Sequence, residues 1–94
     1  MVVTTVDGDV APENVEGLLS KWAEVTGGPK PPGWLRAYLL RAGEAWRIES
    51  IWESREAIDA MRASGETPGA IRVFAAANAE PKLTIFEVED TVEV

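Results

Sequence analysis

The side chains in this sequence that can hold or transform a small organic molecule are Trp34, Tyr38, Trp46, Trp52, Arg72 and Asn78. What is missing narrows the chemistry as much as what is present. The chain has no histidine and no cysteine. The commonest general base and the commonest metal ligand are therefore absent. Ser-His-Asp and Cys-His nucleophiles are excluded for the same reason. Any catalysis must rest on carboxylates, tyrosine, lysine, arginine or the substrate's own reactivity.

Each candidate has a functional and a structural reading. Trp52 stands where an alternating stretch, AWRIESIWE, gives way to a helix-like run. Its ring either faces a ligand or wedges the strand–helix corner, donating its N–H to a backbone carbonyl. Tyr38 offers a hydroxyl that can orient a phenol or act as an acid; otherwise it is a half-buried tyrosine with one hydrogen bond. Glu49 is a general base if desolvated, or else a cross-strand partner of Arg41 or Arg36. Asn78 falls on an apolar helix stripe, and a buried amide needs partners. It either caps the helix end or points at a ligand. Trp34 and Trp46 lie near strand ends and read as rim packing at a dimer interface. Trp22 fits a helix core.

Other polar groups are less specific. The GGPKPPG stretch lacks the G-x-x-x-x-G-K-[ST] spacing of a phosphate cradle and reads as a loop. Without histidine or cysteine beside them, Asp7, Asp9, Glu87, Glu89 and Asp90 read as solubilising charges rather than metal ligands.

These candidates must be positioned by a small scaffold. The chain has 94 residues, 46% of them hydrophobic and 27% charged. One globular domain over residues 1–94 is expected. Its core is thin at this size, and no disulfide can supplement it, so self-association is an attractive source of buried surface. Lys+Arg number 9 against 16 Asp+Glu, a net charge of −7, which makes nucleic acid and anionic membrane poor partners. No signal-peptide or membrane-spanning pattern is present, so a cytoplasmic protein is expected.

The element order follows from periodicity. Val2–Val6 is β-branched and reads as a strand ended by Asp7-Gly8-Asp9. Val15, Leu18, Leu19 and Trp22 mark one helix face, stopped at Gly27-Gly28. Residues 34–41 and 45–53 form a hairpin around Gly43, with Trp46, Ile48, Ser50 and Trp52 on one face. Ser54 caps a second helix. That helix breaks at Ser64-Gly65 and resumes after Thr67-Pro68, with Ile71, Phe74, Ala75 and Asn78 on its apolar face. Residues 83–94 read as a final strand. The order βαββαβ is the ferredoxin-like α+β arrangement, a four-stranded antiparallel sheet with helices on one face. The uncovered face carries large side chains, and a homodimer burying sheet against sheet accounts for it.

The Trp52-Glu53-Ser54 corner, the following Glu56-Ala57-Ile58, the broken second helix and the closing IFEVEDTVEV resemble the antibiotic biosynthesis monooxygenase superfamily of dimeric α/β barrels. The resemblance covers nearly the whole chain. It implies a homodimer and, in one branch, an oxygenase that needs no bound metal, flavin or other cofactor. In that branch a phenolic aromatic substrate is deprotonated and reacts with oxygen itself. On this chain Trp52 and Tyr38 would orient the substrate, and Arg72 or Asn78 would stabilise developing negative charge. The alternative is a non-catalytic dimeric module that binds a small hydrophobic ligand or only provides an interaction surface. The haem-degrading branch uses an Asn in the first strand, a Trp on the second helix and a nearby His. This sequence has VVTTV in the first strand, Met61 near the Trp position, and no His.

Overall fold

A computed structural model describes residues 1–94. Strand β1 (Val2–Asp9) leads through a short 3-10 turn into helix α1 (Val15–Gly27). The hairpin β2 (Trp34–Ala42) and β3 (Ala45–Trp52) follows, then α2 (Arg55–Ala63), α3 (Gly69–Ala75) and β4 (Lys82–Glu87). The strands form one antiparallel four-stranded sheet in the order β2-β3-β1-β4. This is the expected ferredoxin-like α+β arrangement. No helix is long and apolar enough to cross a membrane.

Strand alternation assigns the faces. Val2, Thr4 and Val6 of β1 lie opposite Trp52, Ser50 and Ile48 of β3, and all six are buried on the helix side. Arg47, Glu49 and Ile51 point to the other side. Of the two sequence-read partners for Glu49, neither pairs with it. Its register neighbours are Tyr38 and Thr5, and Arg47 instead holds Asp7 at 2.6 Å.

The first strand runs further than expected, through Asp9. Asp7, Gly8 and Asp9 stay paired with Arg47, Trp46 and Ala45, so ladder hydrogen bonds override the turn propensity of these residues. Gly8 has a packing reason to be glycine: a Cβ there would stand 2.9 Å from Phe74 Cδ1. The last strand is shorter than expected. It ends at Glu87, and residues 88–94 pair with no strand of this chain.

Helix α1 buries Leu18 completely and leaves Leu19 45% exposed. Its inward face is therefore Val15, Leu18, Trp22 and Val25. On α3 the buried residues are Val73, Phe74 and, just beyond, Ala77, with Ala70 packed beside them. The expected stripe through Ile71, Ala75 and Asn78 is displaced by one residue. Ala75 and Asn78 are exposed.

The core is in two parts. The larger joins Val6, Trp46 and Ile48 to Leu18, Val73 and Phe74. The smaller joins Val2, Trp52 and Ile58. Helix α2 is held to the sheet side by one fully packed residue, Ile58. The space between the two clusters is where the cavity forms.

Candidate functional site

A cavity of about 710 Å³ opens between the helix side of the sheet and α1, α2 and α3. That volume falls within the range of small-molecule sites. Its floor is read directly from the sheet register. Trp34 and Trp52 are paired at one end, Thr4 and Ser50 in the middle, and Val6 and Ile48 beyond. Leu83 and Ile85 of β4 extend the floor sideways. Ile58 and Met61 of α2 and Val73 of α3 form the apolar roof.

The two indoles form the aromatic end. Their ring centroids are 6.4 Å apart and their planes are tilted by 33°. Trp52 Nε1 donates to Thr4 Oγ1 at 3.1 Å, a side-chain hydroxyl rather than the backbone carbonyl expected. Thr4 keeps its own O–H proton to give to another acceptor. Trp34 Nε1 is buried with no partner. The corner behind these rings is fastened by Glu53 N–H donating to Gly33 C=O at 2.8 Å. Gly33 has φ +85°, and a Cβ there would meet Ala57 Cβ at 2.5 Å, so glycine is required where the chain turns into β2. Ser54 Oγ accepts from Ala57 N–H at 3.2 Å and starts α2 as expected.

Charged side chains stay at the rim. Arg72, Arg62 and Lys30 border the cavity, as do Glu53, Glu56 and Glu66, and none of these is in an ion pair. Two groups elsewhere have displaced pKa values. Lys21, hydrogen-bonded to Glu24 at 2.7 Å, lowers the Glu24 carboxyl below its ordinary value. Asp7 raises the Arg47 guanidinium.

Among the four residues singled out for catalysis, the cavity gathers Trp52 and Arg72 and leaves out Tyr38 and Asn78. Tyr38 projects from the opposite face of the sheet, 42% exposed, its hydroxyl accepting from Arg36 Nη1 at 3.2 Å. A β-bulge between Trp34 and Arg36 is the cause. The extra residue, Leu35, reverses the alternation, so Trp34 and Tyr38 fall on different faces. Asn78 adopts φ +54° past the end of α3. Asn78 N–H donates to Ala75 C=O and Ala79 N–H to Phe74 C=O, at 3.1 Å each. This is a Schellman cap. Trp34 lines the cavity, and Trp46 is buried under Arg41, whose guanidinium carbon is 5.0 Å from its ring centre.

The sequence reading overlooked Thr4 and Ser50. Their signal was position: each is the one hydroxyl in an otherwise apolar alternating row, Val2-Thr4-Val6 and Ile48-Ser50-Trp52.

Haem does not suit this donor set. Haem iron takes histidine, thiolate, tyrosinate or methionine ligands, and the only such side chain on the cavity wall is Met61. No cluster of His, Cys, Asp or Glu has the geometry to hold a metal ion.

Solved structures share this architecture. SnoaB, a cofactor-independent oxygenase from Streptomyces nogalater, is 20% identical, with 97% of this chain and 95% of that one covered and a TM-score of 0.66. Another structure described as an antibiotic biosynthesis monooxygenase is 16% identical over 96% and 100% of the two chains, with a TM-score of 0.70. A MhuD variant, with two manganese protoporphyrin IX molecules bound per active site, is 28% identical over the full length of both chains, with a TM-score of 0.69. No curated protein sequence matches the chain. The sequence model described as antibiotic biosynthesis monooxygenase matches residues 1–77. The chain belongs to the antibiotic biosynthesis monooxygenase family.

Proposed function

We propose that the chain is a small monooxygenase, working without a bound cofactor, that oxidises a phenolic aromatic molecule held in the cavity. The observation that carries this reading is the cavity itself: an apolar slot ending in two indoles, with hydroxyls at mid-floor and an unpaired arginine at the rim. The aromatic substrate stacks against Trp52 and Trp34. Thr4 and Ser50 orient its oxygen substituents. Arg72 favours the phenolate over the phenol. The phenolate carbanion donates an electron to O₂, and the resulting pair recombines to a hydroperoxide at the reacting carbon. Loss of water leaves a carbonyl there. One oxygen atom enters the product and the other leaves as water, with the substrate as the sole reductant.

The test is oxygen uptake with anthrone-like and hydroquinone substrates, comparing the native chain with Trp52→Phe and Arg72→Gln. Uptake that falls in both variants supports the reading. One observation favours a second reading, a ligand-binding module without turnover: the cavity floor carries no ionisable side chain to take the substrate's proton. Saturable binding with no oxygen uptake on any substrate selects it.

The protein is further proposed to be a homodimer through the open face of the sheet. Tyr38 and Leu40 at 42% exposure and Phe86 at 50% present an apolar surface there, beside Val3 and Ile51. A monomeric mass at micromolar concentration overturns this.

A further inference from the structure

The reaction assigned to the cavity needs a group that moves protons. The reacting carbon gives up one proton before it meets O₂ and a second when water is lost from the hydroperoxide. Arg72 is a permanent cation and accepts neither. Glu49, the carboxylate singled out in the sequence, lies on the other face of the sheet, opposite Tyr38 and Thr5. Three carboxylates border the cavity: Glu53, Glu56 and Glu66. Their positions differ. Glu56 precedes the buried Ile58 by two residues, which turns it to the outer side of α2. Glu66 lies beyond the far end of α2, whose nine residues span about 13 Å. Glu53 follows Trp52 directly, where β3 turns into α2. Its side chain curls over Gly33. A Cβ on Gly33 would stand 3.6 Å from Glu53 Oε2 and 2.5 Å from Ala57 Cβ. Ala57 and Trp34 both pack against the cluster that holds Trp52, so this carboxylate stands at the indole end of the cavity. Glu53 is in no ion pair. The cations on the elements around it are engaged elsewhere: Arg55 of α2 holds Asp59 at 3.5 Å, and Lys30 of the loop before β2 donates to Gly28 C=O at 3.2 Å.

Given the monooxygenase reading of the cavity, on which this rests, we propose that Glu53 is its general base and carries both protons. Glu53 takes a proton from the reacting carbon and leaves a conjugated anion whose oxygen faces Arg72. Transfer of one electron to O₂ and recombination form the carbon–oxygen bond. The Glu53 carboxylic acid then returns its proton to the peroxide. The regenerated carboxylate removes the second C–H proton as the O–O bond breaks. That C–H electron pair becomes the carbonyl π bond, the departing hydroxide takes the proton from Glu53, and water leaves. The carboxylate ends as it began, and CH₂ plus O₂ has become C=O plus H₂O. Glu53 stands beside the smaller core cluster and Arg72 comes from α3, which packs in the larger one. The reacting carbon and the anionic oxygen are therefore served from opposite ends of the cavity. A ligand lying between them covers Glu53, and loss of water around a carboxylate strengthens it as a base.

Deprotonation can be read apart from oxidation. The probe is anthrone in deuterated buffer free of oxygen, and exchange of its CH₂ hydrogens is followed by NMR. The native chain should accelerate exchange above the buffer rate. Glu53→Gln, which keeps the size of the side chain, should lose about 10²-fold or more of that acceleration, the contribution of one general base. Glu53→Asp should recover part of it. In air, oxygen uptake by Glu53→Gln should fall in step, and the acid limb of the native pH–rate profile should disappear. A Glu53→Gln chain that exchanges and oxidises anthrone as the native chain does overturns the proposal and leaves the monooxygenase reading standing. Native exchange that Glu53→Gln abolishes, with no oxygen uptake by the native chain, keeps the base and overturns the oxygenase. A native chain inert in both assays overturns both. A loss in Glu56→Gln equal to that in Glu53→Gln removes the assignment to Glu53.

Discussion

The indole N–H of Trp52 donates to the hydroxyl of Thr4 at 3.1 Å, buried on the helix side of the sheet. The bond joins the end of β3 to the middle of β1 and fixes the ring that closes one end of the cavity. Thr4→Val keeps the shape and removes the acceptor. A buried N–H left unpaired costs about 1–3 kcal/mol, and Thr4→Ser should keep most of the stability. Urea unfolding of the three proteins measures the difference. A Thr4→Val variant within about 0.5 kcal/mol of the native chain, the range of an inconsequential surface change, would mean that the bond contributes nothing.

Gly8 sits under Phe74, the largest fully buried side chain. Its backbone is ordinary strand, so the constraint is space and not conformation. Gly8→Ala places a methyl 2.9 Å from Phe74 Cδ1, and overpacking of this kind costs about 1–3 kcal/mol. Adding Phe74→Leu should make the alanine cheaper than it is alone, because the two sites are in contact. A double-mutant cycle in thermal unfolding reads this coupling. Strict additivity would show that the ring moves aside freely.

Acid sensitivity has one identifiable contributor on α1. Lys21 donates a hydrogen bond to Glu24 and adds its charge, and together these lower the Glu24 carboxyl from its ordinary 4.5. A carboxyl with a lowered folded pKa contributes stability that is present above the unfolded value. That contribution is lost as pH falls through the folded value. The effect is small because the pair is solvent-exposed. Lys21→Met should bring the Glu24 titration, followed by NMR, back up towards 4.5 and flatten the urea-midpoint profile below that pH. A titration curve that stays put in Lys21→Met would remove Lys21 as the cause.

Much of the fold was legible because period-2 and period-3.6 patterns are local. The rows Trp46-Ile48-Ser50-Trp52 and Val15-Leu18-Trp22, the Ser54 cap and the break at Gly65 can each be seen in a short window. Half of the catalytic set was misplaced for an equally specific reason. Trp34 and Tyr38 are four apart, and simple alternation puts them on one face. The bulge at Leu35 inserts one residue and turns Tyr38 to the far side. No propensity marks Leu35 as a bulge; the pairing of Trp34 with Trp52 decides it. The displaced α3 stripe has a similar origin. Phe74 belongs to either stripe; packing against the core around Val6 and Leu18 brings Ala70, Val73 and Ala77 inward beside it and leaves Ala75 and Asn78 outside. The cavity itself is a property of how far α2 and α3 stand apart, which no single stretch of sequence encodes.

Asn78 provides the sharpest check on which residues serve the cavity. It holds φ +54° and completes the cap of α3, where glycine has no steric penalty and a β-branched residue is strained. Asn78→Gly should therefore leave stability unchanged or slightly raised, and Asn78→Val should lose about 1–3 kcal/mol. Neither should alter the affinity for an anionic aromatic ligand beyond what unfolding explains, because Asn78 does not border the cavity. Arg72→Gln should behave in the opposite way. Arg72 is exposed at the rim and unpaired, so its loss should spare stability and weaken an anionic ligand about tenfold or more, the equivalent of one charged hydrogen bond. Calorimetric titration of both variants separates the roles. If Asn78→Gly weakens the ligand as much as Arg72→Gln does, then the end of α3 reaches the ligand and the boundary of the site drawn from the cavity is wrong.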